Sequence, residues 1–151
     1  MEIREVTSAV LFDDPSFAKA TEEYARESGN PFIGLTANPN RDGYQIIEES
    51  GMWRCSAVYE ADKLVGFVAV LASQHFHYGV LVASIETLWL SQEHRKGPAG
   101  LRLIREAKRI AKDMGAVALY ASAPAASRLA KLLDRIATKT DEVFFFHLRS
   151  E

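Results

Sequence analysis

The sequence of 151 residues contains one cysteine, Cys55, and no apolar run of membrane-spanning length. A single thiol excludes an internal disulfide and a cysteine-built zinc site. Crossing a bilayer as a helix would need about 20 consecutive apolar residues. Nothing at the N-terminus resembles a signal peptide, so the chain is expected to be soluble and cytoplasmic. Net charge is only −2, which gives no general case for nucleic acid or a membrane surface as a partner. Two phosphate-binding fingerprints are missing as well: there is no Gly-x-x-x-x-Gly-Lys-Ser/Thr, and no Gly-x-Gly-x-x-Gly after an early strand. Repeats and low-complexity tracts are absent. What is present is an ordinary globular composition, 48% hydrophobic and 25% charged. The chain is long enough to bury a substantial core and is expected to form one domain over 1–151.

Charge is unevenly distributed along the chain. Residues 1–50 carry ten acids (Glu2, Glu5, Asp13, Asp14, Glu22, Glu23, Glu27, Asp42, Glu48 and Glu49) against Arg4, Lys19, Arg26 and Arg41. Residues 91–113 instead hold Arg95, Lys96, Arg102, Arg105, Lys108, Arg109 and Lys112. That basic stretch lies in the part of the sequence around which the rest is organised. Residues 80–90 are apolar and β-prone and should form a buried strand. Residues 98–114 place Leu103, Ala107, Ile110, Ala111 and Met114 at helical spacing. The turn between them reads Arg95-Lys96-Gly97-Pro98-Ala99-Gly100. Its small residues leave the backbone uncovered, and the helix N-terminus presents unpaired amides. A helix normally favours Asp or Glu in its first turn; this one has none. Exposed amides, a positive dipole end and basic side chains together suit a phosphate-bearing ligand. A plain strand-to-helix turn with a solvated basic face is the alternative.

Around this core the chain reads in order as a strand over 2–6, a helix over 15–27, a loop over 29–43 with a helical turn near 32–35, and a helix over 43–50. Strands over 53–60 and 64–74 follow, with Gly66 marking a bulge or a close backbone approach. After the basic helix come a strand over 116–121, a helix over 125–137 with Leu129, Leu132, Leu133 and Ile136 as its apolar stripe, and a final strand over 142–148. The strand-helix-strand unit around the basic turn implies a parallel pairing in an otherwise mixed sheet.

The turn resembles the Arg/Gln-x-x-Gly-x-Gly/Ala motif of the GNAT N-acetyltransferase superfamily, matching at Arg95 and Gly100 and departing at Pro98. The strand Ile85-Glu86-Thr87-Leu88-Trp89-Leu90 is similar to the family's fourth strand, and the element order matches over nearly the whole chain. The resemblance implies an α/β fold, with a mixed central sheet of about six to seven strands flanked by about four helices. It also implies acetyl-coenzyme A as cosubstrate and direct attack of an amine on its thioester. The pyrophosphate would lie on the amides around Gly97, Ala99, Gly100 and Leu101, helped by Arg95 and Lys96. The pantetheine arm would pair with the backbone of Leu88, Trp89 and Leu90. Proline has no N–H to offer a phosphate, but it suits the first turn of a helix. The Lys-Gly-Pro-Ala-Gly turn and short terminal strand also look similar to some small phage and prophage members.

An acid inside an apolar strand is costly unless it is paired or faces a cleft. Glu86 is accordingly the candidate base, at the position where many family members place a catalytic or water-positioning glutamate. The alternative is a strand-edge carboxylate paired with a nearby Lys or Arg. The family's usual tyrosine acid has no counterpart in the helix over 125–137, which leaves Tyr120, Ser127 and His147 as substitutes. Its absence also leaves open a non-catalytic coenzyme-A-binding or protein-interaction module. Phe32, Tyr44 and Trp53 are acceptor contacts or core residues. His75 and His77, without a third ligand nearby, are read as loop residues rather than a metal site. The acceptor is an amine on a small molecule or a protein, and the acidic first third of the chain suits a cationic one. A homodimer is the family's habit.

Overall fold

The computed structural model describes residues 1–28, 34 and 36–148. Its elements are β1 (Glu2–Val6), α1 (Ser8–Asp13), α2 (Phe17–Glu27), α3 (Arg41–Glu49), β2 (Trp53–Glu60), β3 (Lys63–His75), β4 (Val80–Leu90), a 3-10 turn (Gln92–His94), α4 (Ala99–Asp113), β5 (Leu119–Tyr120) and α5 (Arg128–Ile136). The five strands form one open sheet in sequence order. Strands β1 to β4 are antiparallel neighbours, and β5 joins β4 in parallel through the α4 crossover.

Side chains alternate across a strand, so each strand feeds two cores. Trp53, Cys55, Ala57 and Tyr59 of β2 face Leu11, Phe17 and Ala20 of α1 and α2. Val58 and Val68 face the opposite way and pack with Leu103, Ala107 and Ile110 of α4. Of the expected apolar positions, α4 buries Leu103, Ala107, Ile110 and Ala111, together with Ala99 and Ile104, while Met114 is its half-buried C-cap. The β2–β3 hairpin closes through Ala61 and Asp62, both at positive φ (48° and 60°), as a two-residue primed turn requires.

Gly66 lies where the chain passes closest to its neighbours. A Cβ there would stand 2.8 Å from Leu90 Cδ1 and 3.0 Å from the Trp89 carbonyl oxygen. The close approach expected from the sequence is therefore present. Gly66→Ala should cost about 1–3 kcal/mol of stability, the usual penalty of overpacking, read as a lowered denaturant midpoint at unchanged slope.

On the α4 face, the polar groups form a network that links the elements. Arg54 holds Glu5 through two bonds of 2.6 and 2.7 Å. Arg109 reaches Glu106, Asp113 and Glu5, and the buried Ser56 hydroxyl donates to Glu106 at 2.7 Å. Hydrogen bonds from Arg54 hold the Glu5 carboxyl below its ordinary range, and those from Arg109 do so for Glu106. Stability that depends on a lowered carboxyl pKa is present above the unfolded value, about 4.3. It is lost as pH falls through the lower folded values. Stability should therefore drop on acidification below about pH 4.3. Glu106→Gln should flatten that drop in a series of chemical denaturations.

Two sequence expectations are corrected. Among the described residues the sheet has five strands, not six to seven, because residues 142–148 form no strand; Val143, Phe144, Phe146 and Leu148 are exposed. Only Leu119 and Tyr120 of the stretch 116–121 form a strand, with Val117 and Ala118 also bonded to β4, so β5 offers no long edge for a following strand. High β-propensity without a partner does not make a strand. The helices number five among the described residues. The unexpected one, α1, spans six residues, too few for a helical period to be visible; the Thr7 hydroxyl caps it by accepting from the Val10 N–H. The helical turn expected near 32–35 lies outside the described residues, apart from Gly34.

Candidate active site

β4 is paired along its length with β3, but on its other side with β5 only at Ala83 and Ser84. Among the described residues no strand pairs with that edge from Ile85 to Leu90. The Ser91 N–H donates to the Val65 carbonyl at 2.8 Å, and Leu90 stands opposite Gly66. By the alternation of an antiparallel ladder, Trp89 turns its backbone toward β3, while Leu88 and Leu90 turn theirs toward the open edge. Of the three residues expected to line a pantetheine arm, two thus turn backbone groups to the gap, although the Leu90 carbonyl accepts from Arg95. Trp89 contributes its side chain to the core instead, with its ring 5.8 Å from that of Phe67 and its indole N–H donating to Glu23 at 3.3 Å.

The open edge leads into the turn before α4. Pro98 stands at the N-cap, one position before the helix, and its carbonyl accepts from the Arg102 N–H at 3.0 Å. The missing proline N–H therefore falls outside the helix, and Ala99, Gly100 and Leu101 are the residues whose first-turn amides have no carbonyl behind them. No side chain caps this end, and no acid lies in its first turn. A Cβ added at Gly97 or Gly100 would meet nothing within 4 Å, and neither residue has positive φ. Neither packing nor backbone conformation uses these glycines, so both leave bare backbone facing open space. Arg95 is engaged elsewhere: Nε donates to the Leu90 carbonyl at 2.7 Å, and the guanidinium pairs with Glu27 of α2 at 2.9 Å. It ties the end of β4 to α2.

Glu86 owes its direction to a bulge. Ala69 stands opposite Thr87 and Val70 opposite Ile85, which leaves Glu86 as the extra residue on β4. Adjacent strand residues normally face opposite sides. The bulge re-aims one of them, and Glu86 and Thr87 both line a single cavity of about 330 Å³ under α1, α2 and α3. The Tyr44 hydroxyl donates to one Glu86 oxygen at 2.7 Å, and the Thr87 hydroxyl donates to the other at 2.8 Å. The Tyr24 hydroxyl donates to the Glu86 carbonyl at 3.4 Å. Burial foremost, and then the Glu86 charge, push both phenols above their ordinary pKa, so they remain protonated donors at neutral pH. Among the described residues, no Lys, Arg or His forms an ion pair with Glu86. A strand-edge carboxylate neutralised by a basic neighbour is not what the fold builds.

Tyr44 is held in place by its own helix. Glu48, one turn further along α3, accepts from both the Ser8 N–H (2.9 Å) and the Ser8 hydroxyl (2.5 Å) at the start of α1. Sequence reasoning named Tyr44 but missed Thr87 and Tyr24 as parts of the site. The available signal was two adjacent polar residues, Glu86-Thr87, inside an apolar strand.

Other candidates lie elsewhere. Cys55 is fully buried, and burial pushes its thiol far above the ordinary value, which removes it as a nucleophile. Ser127 caps α5, its hydroxyl accepting from the Ala130 N–H. Tyr120 is exposed beside Ser84, and His147 lies in the exposed stretch after α5. Trp53 lines the cavity and is also a core residue, edge-on to Tyr44 at 5.4 Å. Phe32 lies outside the described residues. His75 and His77 flank the Tyr78 ring. Among the described residues, no group of three His, Cys, Asp or Glu could hold a metal, and no helix is long and apolar enough to cross a membrane.

The model of the acetyltransferase (GNAT) family matches residues 36–133, which include Tyr44, Glu86 and Thr87 of the cavity, β4, the turn and α4. Among curated proteins none matches in sequence. Solved structures with a similar fold include a ribosomal-protein-alanine N-acetyltransferase from Brucella melitensis biovar Abortus 2308, at 17% identity and TM-score 0.70 over 96% of both chains. An aminoglycoside acetyltransferase from an uncultured soil metagenomic sample is similar at 18% identity and TM-score 0.74, over 99% of this chain and 98% of its own. Another from such a sample, in complex with sisomicin, aligns at 14% identity and TM-score 0.72, over 98% of this chain and 96% of its own. At these identities the likeness is one of fold.

Proposed function

The chain belongs to the GNAT acetyltransferase family, and from that membership we propose that residues 1–151 act as one acetyl-coenzyme-A-dependent N-acetyltransferase domain in the cytoplasm. The observation that carries this reading is the bulged Glu86 carboxylate. It is in no ion pair among the described residues, faces a cavity, and stands on the strand whose free edge leads to the uncapped N-terminus of α4.

The amides of Ala99, Gly100 and Leu101, with Gly97 leaving the backbone open and Lys96 nearby, would hold the pyrophosphate. Leu88 and Leu90 would offer backbone groups to the pantetheine arm. The cosubstrate supplies an acetyl group already activated as a thioester. On the protein side, Glu86 takes a proton from the acceptor ammonium, directly or through one water, while Tyr44 and Thr87 keep the carboxylate aimed at the cavity. The freed amine forms the C–N bond as the C–S bond breaks, giving an acetylated amine, free coenzyme A and one proton. A thiol's ordinary pKa of about 8.5 makes its thiolate an acceptable leaving group at neutral pH, so the lack of a tyrosine in α5 does not remove the activity.

The test is calorimetric titration with acetyl-coenzyme A, followed by thiol release with an amine panel. The expected result is micromolar binding (about −8 kcal/mol) and amine-dependent release. Binding without release on any amine would mean a coenzyme-A-binding module instead.

A further inference from the structure

The cavity beside Glu86 differs in character from what a polycationic or peptide acceptor needs. Its walls carry Phe12, Phe17, Tyr24, Tyr44, Trp53 and Phe67, and the short segment 36–39 closes one side with Thr, Ala, Asn and Pro. The rings are packed against one another: Phe12 lies 4.7 Å from Phe17 and 5.7 Å from Tyr44, and Phe17 lies 5.7 Å from Phe67. Among the described lining residues Glu86 alone is charged. At about 330 Å³ the space is at the small end of ligand cavities.

A ligand that carries several ammonium groups would leave all but one of them against aromatic walls without a carboxylate, and burying an unpaired charge is expensive. A peptide would need a row of backbone partners, whereas the polar groups of these walls are separate side chains, among them Thr21, Tyr24, Asn38, Tyr44 and Thr87. A small molecule with one ammonium group and an apolar body meets neither cost. Its charge would face the one carboxylate and the faces of nearby rings, and its body would fill the aromatic space. We propose that the acceptor site is built for small apolar monoamines of the arylalkylamine or alkylamine class. The acidic excess of residues 1–50 does not alter this, because none of those acids lines the cavity. The proposal rests on the transferase reading above and makes it specific: Glu86 is the counter-ion that selects one ammonium, and the rings exclude a second.

Binding and transfer can be measured separately. Without acetyl-coenzyme A, titration with 2-phenylethylamine should show binding at least tenfold tighter than with 2-phenylethanol, its uncharged counterpart. It should also be at least tenfold tighter than with the aminoglycoside kanamycin or with an alanine-initiated tripeptide. Glu86→Gln should remove the preference for the amine over the alcohol. Ala25→Asp adds a second carboxylate from the half-buried cavity face of α2. After thermal melting has shown the variant to be folded, it should weaken 2-phenylethylamine and strengthen 1,5-diaminopentane. With acetyl-coenzyme A present, kcat/KM should follow the same order. Kanamycin or the tripeptide binding better than 2-phenylethylamine would overturn the acceptor class while leaving the transferase reading intact. Binding of 2-phenylethylamine in the expected order, without thiol release, would uphold the site and overturn the transfer.

Discussion

Gly100→Asp should weaken acetyl-coenzyme A binding by about 100-fold, or 2.7 kcal/mol, without cost to the fold. A Cβ at this position meets no protein atom, so the substitution has room. The position lies in the first turn of α4, which has no acid and no side-chain cap. Replacing a helical glycine generally stabilises by about 0.5–1 kcal/mol, and an aspartate in a first turn adds about 0.3–1 kcal/mol through the helix dipole. Melting temperature should hold or rise. The same carboxylate fills the open space in front of the amides and repels a pyrophosphate. Stability and affinity are thus expected to move in opposite directions, which a general loss of folding cannot imitate. Unchanged affinity in the folded variant would remove the phosphate-site assignment.

Glu86→Gln should lower kcat by about 10²–10³-fold, in the range of a lost general base, with acetyl-coenzyme A affinity changed less than about twofold, since the turn is untouched. Glutamine keeps the shape, accepting from one of the two hydroxyls through its oxygen and donating to the other through its amide, but it takes no proton. Glu86 is only half-buried and is in no ion pair among the described residues, so the neutral variant should keep the stability of the wild type. If Glu86 only served the fold, the variant would lose stability and keep its turnover. Tyr44→Phe is a useful companion. It removes one donor at 2.7 Å from the carboxylate while keeping the ring, and it should cost about 1 kcal/mol, or fivefold, in kcat.

The regular parts of the fold were legible in the sequence. Trp53–Glu60 and Val80–Leu90 form strands with the expected bounds, and α4 begins and ends within one residue of its expected limits. These elements carry long, one-sided or continuous apolar patterns that few conformations satisfy. The less regular parts were harder to read. The six residues of α1 are too few to show a period. The stretch 142–148 has the composition of a strand, but it lies exposed beyond a sheet whose last strand is two residues long.

The candidate site divides along the same line. The turn 95–100 was visible because its chemistry is local: small residues, no first-turn acid and a basic surround are all properties of consecutive residues. Glu86 stood out because an acid within an apolar strand needs a reason. Its partners could not be read in the same way. Tyr44 reaches it from 42 residues away in sequence, and Glu86 lines the same cavity as Thr87 only because a bulge breaks the alternation that should have sent it to the other face. Arg95 shows the converse. It matches a motif, yet it spends its hydrogen bonds on Leu90 and Glu27.

By itself, then, the sequence carried the resemblance to the family and determined most of the element order, the uncapped basic turn and the carboxylate on β4. The last three follow from local composition and periodicity. The tertiary structure alone decided where β4 parts from β5, which backbone groups face that gap, and that Glu86 lines a cavity of aromatic rings with no ion-pair partner among the described residues. Strand pairing, bulges and cavity walls depend on contacts between distant residues, and one residue of register reverses every side chain on a strand.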